Sequence, residues 1–206
     1  TLVFNSSSYI TSYITASWSG STKPQSIELV VKPTYDTSIN LVSGSGFKLY
    51  ISGGVTFNGT INTQYGRLGL KVNGVALVNT NPYTFFDANF HTILLTKEYD
   101  GSNSDFTIYY GYAEKDRVVK KEIEYTTAAN NAWESGSQIV IGGFNGELDD
   151  VKIWKSALSS SLFNIHLLDS ENMIGNYISA STDDLLIRLD FEHPKNLNLT
   201  GSIKNV

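Results

Sequence analysis

Glu147 and Asp149, two carboxylates separated by one residue, are the groups whose spacing comes nearest to catalytic chemistry. On a strand, residues i and i+2 share a face at about 6–7 Å, near the ~5 Å that separates the two acids of a retaining glycosidase. The next alternate position is Val151, followed by Lys152, so the row of acids stops at two and acts structurally. The three histidines, His91, His166 and His193, are spaced unlike zinc-binding pairs. No serine sits in a G-x-S-x-G elbow, and the glycines at Gly44, Gly46, Gly53 and Gly54 precede neither the lysine nor the helix of a phosphate loop. The expectation is a protein that binds without catalysis. Flat rings for sugar faces and amides for hydroxyls stand in loop-like sequence at Tyr35, Tyr83, Asn130, Asn131 and Trp133, with Trp18 as a further ring. Loop oxygens at Asp36, Asp87 and Asn89 are the candidates for calcium, which takes six to eight oxygen ligands. No other cofactor is expected.

Composition narrows the partners. The 206 residues carry a net charge of −5 with 17% charged and 41% hydrophobic positions, a globular balance rather than a disordered one. The densest basic run, Arg117-Val118-Val119-Lys120-Lys121, is followed at once by Glu122 and Glu124, which reads as a solvated strand edge and not as a nucleic-acid site. The chain has no cysteine, so disulfides and thiolate metal sites are excluded. No apolar run approaches the roughly 18 residues of a spanning helix, and no membrane insertion is expected.

The elements that must position these groups are strands. Ile27, Leu29 and Val31 alternate with Glu28, Val30 and Lys32; Phe47, Leu49 and Ile51 alternate with Lys48 and Tyr50; Leu68, Leu70 and Val72 alternate with Arg67, Gly69 and Lys71. The same period runs through 91–96, 106–112, 119–125, 138–142 and 150–154. It is cleanest at 185–191, where Leu185, Ile187, Leu189 and Phe191 are expected on one buried face. Asn58-Gly59, Asn73-Gly74 and Asp100-Gly101 supply the positive φ of tight hairpins. One short helix is expected near 159–168, capped by Ser159, with Leu158, Leu162, Ile165 and His166 on its repeat. The fold class is all-β: a two-sheet antiparallel jelly-roll sandwich with that one helix.

The order of the pieces resembles the laminin-G-like, concanavalin-A-like (pentraxin-like) domains. The opening Leu2-Val3-Phe4-Asn5-Ser6-Ser7-Ser8-Tyr9-Ile10, the strand ending Val31-Lys32-Pro33, and Phe90-His91-Thr92-Ile93-Leu94-Leu95-Thr96 match the family pattern in order. The most specific match is Ile141-Gly142-Gly143, then Gly146-Glu147-Leu148-Asp149-Asp150-Val151-Lys152-Ile153-Trp154 and Ala157-Leu158-Ser159. The resemblance covers 1–168 as one laminin-G-like sandwich and implies no single activity. Residues 169–206 read as a linker plus a strand at 184–192, either the opening of a second module or a strand completing a sandwich. Low charge and richness in Tyr, Thr and Asn suggest a structural or adhesion module of a virion, of the phage tail- or head-fibre kind, at an extracellular or virion surface. Its partners would be other modules or subunits of a larger assembly. The alternative is a carbohydrate-binding or adhesin module of a bacterial extracellular protein, with cell-surface glycan as ligand.

Overall fold

Alternating apolar residues bury one face of a strand and force a second sheet to cover it. The computed structural model describes residues 2–4, 9–13, 25–44, 46–115, 117–128, 138–176 and 184–190, and it is built on that principle. A seven-stranded sheet runs in the order β1 (Leu2–Phe4), β12 (Gly146–Trp154), β3 (Ser26–Pro33), β8 (His91–Tyr99), β9 (Asn103–Gly111) and β10 (Lys120–Ala128), with β13 (Leu185–Asp190) also on β12. A six-stranded sheet runs β2 (Tyr9–Tyr13), β11 (Gln138–Gly142), β4 (Ser38–Gly44), β5 (Phe47–Phe57), β6 (Thr60–Val72) and β7 (Val75–Val78). All pairings between these strands are antiparallel. The expected jelly-roll sandwich is the fold.

Ile27, Leu29, Val31, Ile93, Leu95, Phe106 and Ile108 of the first sheet meet Ile39, Leu49, Ile51, Leu68, Leu70 and Val72 of the second in one buried core. The hairpin turns take the geometry their residues demand. Asn58 and Gly59 have φ of 47° and 82°, and Asn73 and Gly74 have 49° and 87°, which matches the right-handed twist of the flanking strands.

The outer face of the seven-stranded sheet is covered as well. A register shift between Leu148 and Asp150 inserts an extra residue in β12. Leu148, Val151 and Ile153 lie in the central core while Trp154 belongs to a second cluster with Leu94, Leu158, Phe163 and Leu185. Helix α1 (Ser160–Leu168) lies on this cluster, its first turn capped by the Ser159 hydroxyl accepting from the Leu162 amide at 3.2 Å. The face it buries is Phe163, His166 and Leu167, whereas Ile165 is 42% exposed, so the apolar stripe is rotated from the one expected. Leu167 packs so closely on β9 that a Cβ at Gly111 would lie 2.7 Å from its Cδ2.

The strand at the end of the chain pairs within this sandwich, Leu185 opposite Trp154 and Asp190 opposite Asp150. It is not one-faced as expected. The register shift between Ile153 and Trp154 displaces Leu186, so Leu185 joins the cluster under α1 while Ile187 joins the central core. Phe191 lies outside the described residues. Along the edge of β12, β13 covers 150–154 and β1 covers 146–148, so the two share one side of that strand.

Deleting residues 177–206 removes Leu185 and Ile187, which are 3% and 8% exposed. At roughly 1.5–3 kcal/mol for each buried side chain, the shortened chain is expected to melt at least about 6 °C lower or to aggregate. Calorimetry with size-exclusion chromatography checks this, and an unchanged melting curve would show β13 to be dispensable.

Candidate functional site

The segment 79–90 leaves β7 in one sheet and enters β8 in the other, closing one flank of the sandwich. Tyr83 and Gly66 exchange both backbone hydrogen bonds at 2.9 Å, which fastens the crossing to β6. Phe85 is fully buried and anchors it from inside. With the backbone fixed at both points, the Tyr83 ring rests on Tyr110 at 4.2 Å between centroids, tilted by 38°. Its hydroxyl donates to Glu122 Oε1, while Asn79 Nδ2 donates to Glu122 Oε2 at 2.8 Å. Lys120 Nζ stands 5.5 Å from the centre of the Tyr83 ring, within cation–π range.

Between these groups lies a cleft of about 220 Å³, lined by Tyr65, Tyr83, Tyr110 and Tyr112, with Lys115 and Lys120 among its polar residues. It is smaller than the ~300–1,000 Å³ that encloses a drug-sized ligand. Such a space takes one ring and leaves the remainder of a ligand outside.

Behind the cleft, Asp87 is saturated with donors. Its Oδ2 accepts from the Tyr112 hydroxyl at 2.7 Å and the Thr84 hydroxyl at 3.1 Å. Its Oδ1 accepts from the Asn89 amide at 3.1 Å and lies 3.2 Å from His91 Nε2. The Asn89 side chain donates to the Tyr112 hydroxyl at 2.7 Å, and His91 Nδ1 lies 3.0 Å from the Tyr110 hydroxyl. Burial pushes the Asp87 carboxyl up, but the bonds from Tyr112 and Asn89 and the nearness of His91 outweigh it and hold it below the ordinary carboxylate range. Burial holds the His91 imidazole below its usual value against the opposing pull of Asp87. Tyr112 is pushed up to about 12, chiefly by burial and then by its bond to Asp87. A carboxylate stabilised in its charged form is a poor proton donor, and this one serves to position two tyrosines.

The residues singled out from sequence fall in separate places. Tyr83 lines the cleft, and Asp87 and Asn89 form the network behind it. Tyr35 is elsewhere, edge-on to Phe86 at 5.3 Å and 37% exposed. Asp36 accepts from the Thr37 amide at 2.6 Å in a local turn. Among the described residues no three His, Cys, Asp or Glu side chains converge as a metal site. Asn130, Asn131, Trp133, Trp18 and His193 lie outside the described residues. Glu147 pairs with Lys32 across the β12–β3 ladder. The cleft residues missed from sequence are Tyr65 and Tyr110 within strands, Tyr112 directly after β9, Lys115 in the turn that follows and Lys120 at the start of β10, whereas the rings expected from sequence stand in loops. The alternation Tyr110-x-Tyr112 running out of β9 was the available signal.

The network makes a pH dependence. In the fold His91 resists protonation, while in the unfolded chain it takes up a proton near 6.5, so its contribution is complete above that value and is lost as pH falls through it. Asp87, depressed in the fold, contributes above about 3.9 and loses that contribution as pH falls toward its folded value. Both act in the same direction, so the network is expected to lose stability first as pH falls below about 6.5, through His91, and again below about 3.9, through Asp87. Histidine NMR titration should show His91 still neutral where a free imidazole is half protonated; a His91 midpoint at or above 6.5 contradicts the assignment.

No family model matches the chain, and no curated protein matches its sequence. Solved structures do. A heptameric SAP-like pentraxin from Limulus polyphemus is 16% identical over 82% of this chain and 81% of that one, with a TM-score of 0.53. The CBM40 of the Ruminococcus gnavus IT-sialidase is 13% identical over 70% of this chain and 82% of that one, with a TM-score of 0.45. CG-16, a homodimeric agglutinin from chicken liver, is 12% identical over 71% and 99%, with a TM-score of 0.34. At these identities the likeness is one of fold, and the fold is the pentraxin-like jelly roll.

Proposed function

We propose that the chain is a non-catalytic binding module that takes a saccharide ring into the tyrosine-lined cleft. The observation that carries this reading is the stacking of Tyr83 on Tyr110 beside Tyr65, Tyr112 and Lys115, which offers ring faces and polar groups around a space of single-ring size. Two facts weigh against catalysis there. The Asp87 and Glu122 carboxylates are both occupied by tyrosine hydroxyls and amide donors, and Glu147 is paired with Lys32 inside a strand ladder. An extracellular setting suits a ligand of this class. The narrower reading as a virion fibre module rests on composition alone and adds nothing to what the cleft would bind.

Glycan-array screening followed by calorimetry tests the proposal. A saccharide hit is expected to weaken about tenfold or more in Tyr65→Ala and in Lys115→Ala, a loss near 1.4 kcal/mol, with melting unchanged to within a few degrees. No polysaccharide should be hydrolysed. Binding that survives both substitutions moves the site elsewhere, and hydrolysis abolished by Glu147→Gln overturns the non-catalytic assignment.

A further inference from the structure

The outward rows of the six-stranded sheet carry cations and no acids. Register places Lys48 directly opposite Lys71, Tyr50 opposite Gly69, and Ser52 opposite Arg67. The neighbours in the same rows are Asn40, Ser43, Ala76, Val78 and Val140. Not one Asp or Glu stands among them, in a chain whose net charge is −5. Lys48, Arg67 and Lys71 make no ion pair among the described residues. The Arg67 Nε is shut off from solvent without a hydrogen-bond partner.

This arrangement is unfavourable on its own. Like charges directly opposite on neighbouring strands repel, and an acid at either position would relieve the repulsion. A local rule broken without compensation marks a functional position more often than a random one. The centre of the patch is built as well: a Cβ at Gly69 would lie 2.2 Å from Tyr50 Cζ and 2.5 and 2.7 Å from the two Cε atoms, so the phenol end of Tyr50 lies over the glycine. Half-buried Tyr50 is thus laid across the sheet, with the Lys48–Lys71 pair to one side and Arg67 to the other. Arg67 and Lys71 stand four positions apart on β6, about 13 Å along the strand.

We propose that this face binds a carboxylated saccharide chain, one ring stacked on Tyr50 and carboxylates on either side paired with Lys48 and Lys71 and with Arg67. Cations on the two sides of Tyr50 fit carboxylates on the sugar rings that flank a stacked one, and the planar guanidinium matches a carboxylate in two-point contact. Ser43, Ser52 and Asn40 supply hydroxyl and amide partners for the ring substituents. Three cations around one ring are too few for a phosphate backbone. The inference is independent of the cleft, which lies on the flank and uses different residues.

The test is calorimetry of the whole chain with oligogalacturonate and hyaluronan, in the parent, in the triple variant Lys48→Gln, Arg67→Gln, Lys71→Gln, and in Lys121→Gln, an exposed lysine of the other sheet, as a charge control. The parent should bind one or both polymers, more weakly as salt rises from about 50 to about 300 mM. The triple variant should lose about tenfold or more of that affinity. It should melt no lower than the parent, because the Lys48–Lys71 repulsion has been removed. Lys121→Gln should bind as the parent does, which separates loss of this patch from a general loss of positive charge. The proposal is overturned if neither polymer binds, if the triple variant binds equally well, or if only sulfated polysaccharide, anionic vesicles or single-stranded DNA are taken.

Discussion

A buried cation organises the outer side of the seven-stranded sheet. Lys152 is 1% exposed, and its Nζ lies 3.3 Å from Asp150 Oδ2 and 3.5 Å from Glu28 Oε1, with the Ser170 carbonyl accepting from it as well. Glu28 in turn holds His166 Nδ1 at 2.8 Å, and the His166 ring stacks on Trp154 at 5.1 Å. Arg188 of β13 reaches Asp150 at 3.5 Å and Glu171 at 2.9 Å. Removing one member of such a pair strands a charge in a dry site at roughly 3–5 kcal/mol, so β3, β12, α1, the turn after it and β13 stand or fall together. Asp150 feels the tension most directly: burial pushes its carboxyl up, and Lys152 and Arg188 only partly oppose this.

That sealed face leaves recognition to the rest of the molecule. The helix covers one sheet, whereas the outward rows of the other sheet carry Lys48, Tyr50, Arg67 and Lys71 with nothing described above them. The flank between the sheets is closed by the 79–90 crossing, with the tyrosine cleft beside it. Rigidity and access are thus assigned to different sides. The charged groups that hold the structure are buried and paired, and those offered to a ligand lie on strands whose inner faces are fixed by the core. The backbone of such strands has little further freedom to lose when a ligand arrives, so the ordering cost is confined to the side chains.

Much of this was legible as pattern. Alternation at 27–31, 47–51 and 68–72 gave the inward faces, the Asn-Gly pairs gave their hairpins, and Ser159 gave the helix start. The outward positions of Lys48, Tyr50, Arg67, Gly69 and Lys71 were also readable, but their adjacency was not, since it depends on a cross-strand register that no single strand encodes. The register shifts at Asp149 and Leu186 were invisible for a related reason. A bulge is an extra residue relative to a partner, and it appears only when both strands are placed side by side; it is what turned Leu185 away from the face it was assigned. The short β7 and the shifted β4 lacked a clean period and were passed over. The cleft is not legible because Tyr110 is a nearly buried strand residue and Tyr112 follows directly on β9, whereas the sequence points to rings in loops.

The way β13 and β1 share β12 bears on how such a chain can be rewired. Asp190 lies opposite Asp150 and Leu2 opposite Leu148, and both strands run antiparallel to β12, so the exit of one points at the entrance of the other across about two residues, near 7 Å. They occupy a single lane, like two halves of one strand with a nick between them. A covalent bridge across that nick, with new ends opened at the Asn58-Gly59 turn, would leave every lane of both sheets occupied in the same order and direction. By the same geometry, β13 of a second copy would meet the same partners along β12, so strand exchange between neighbours would need no new interface.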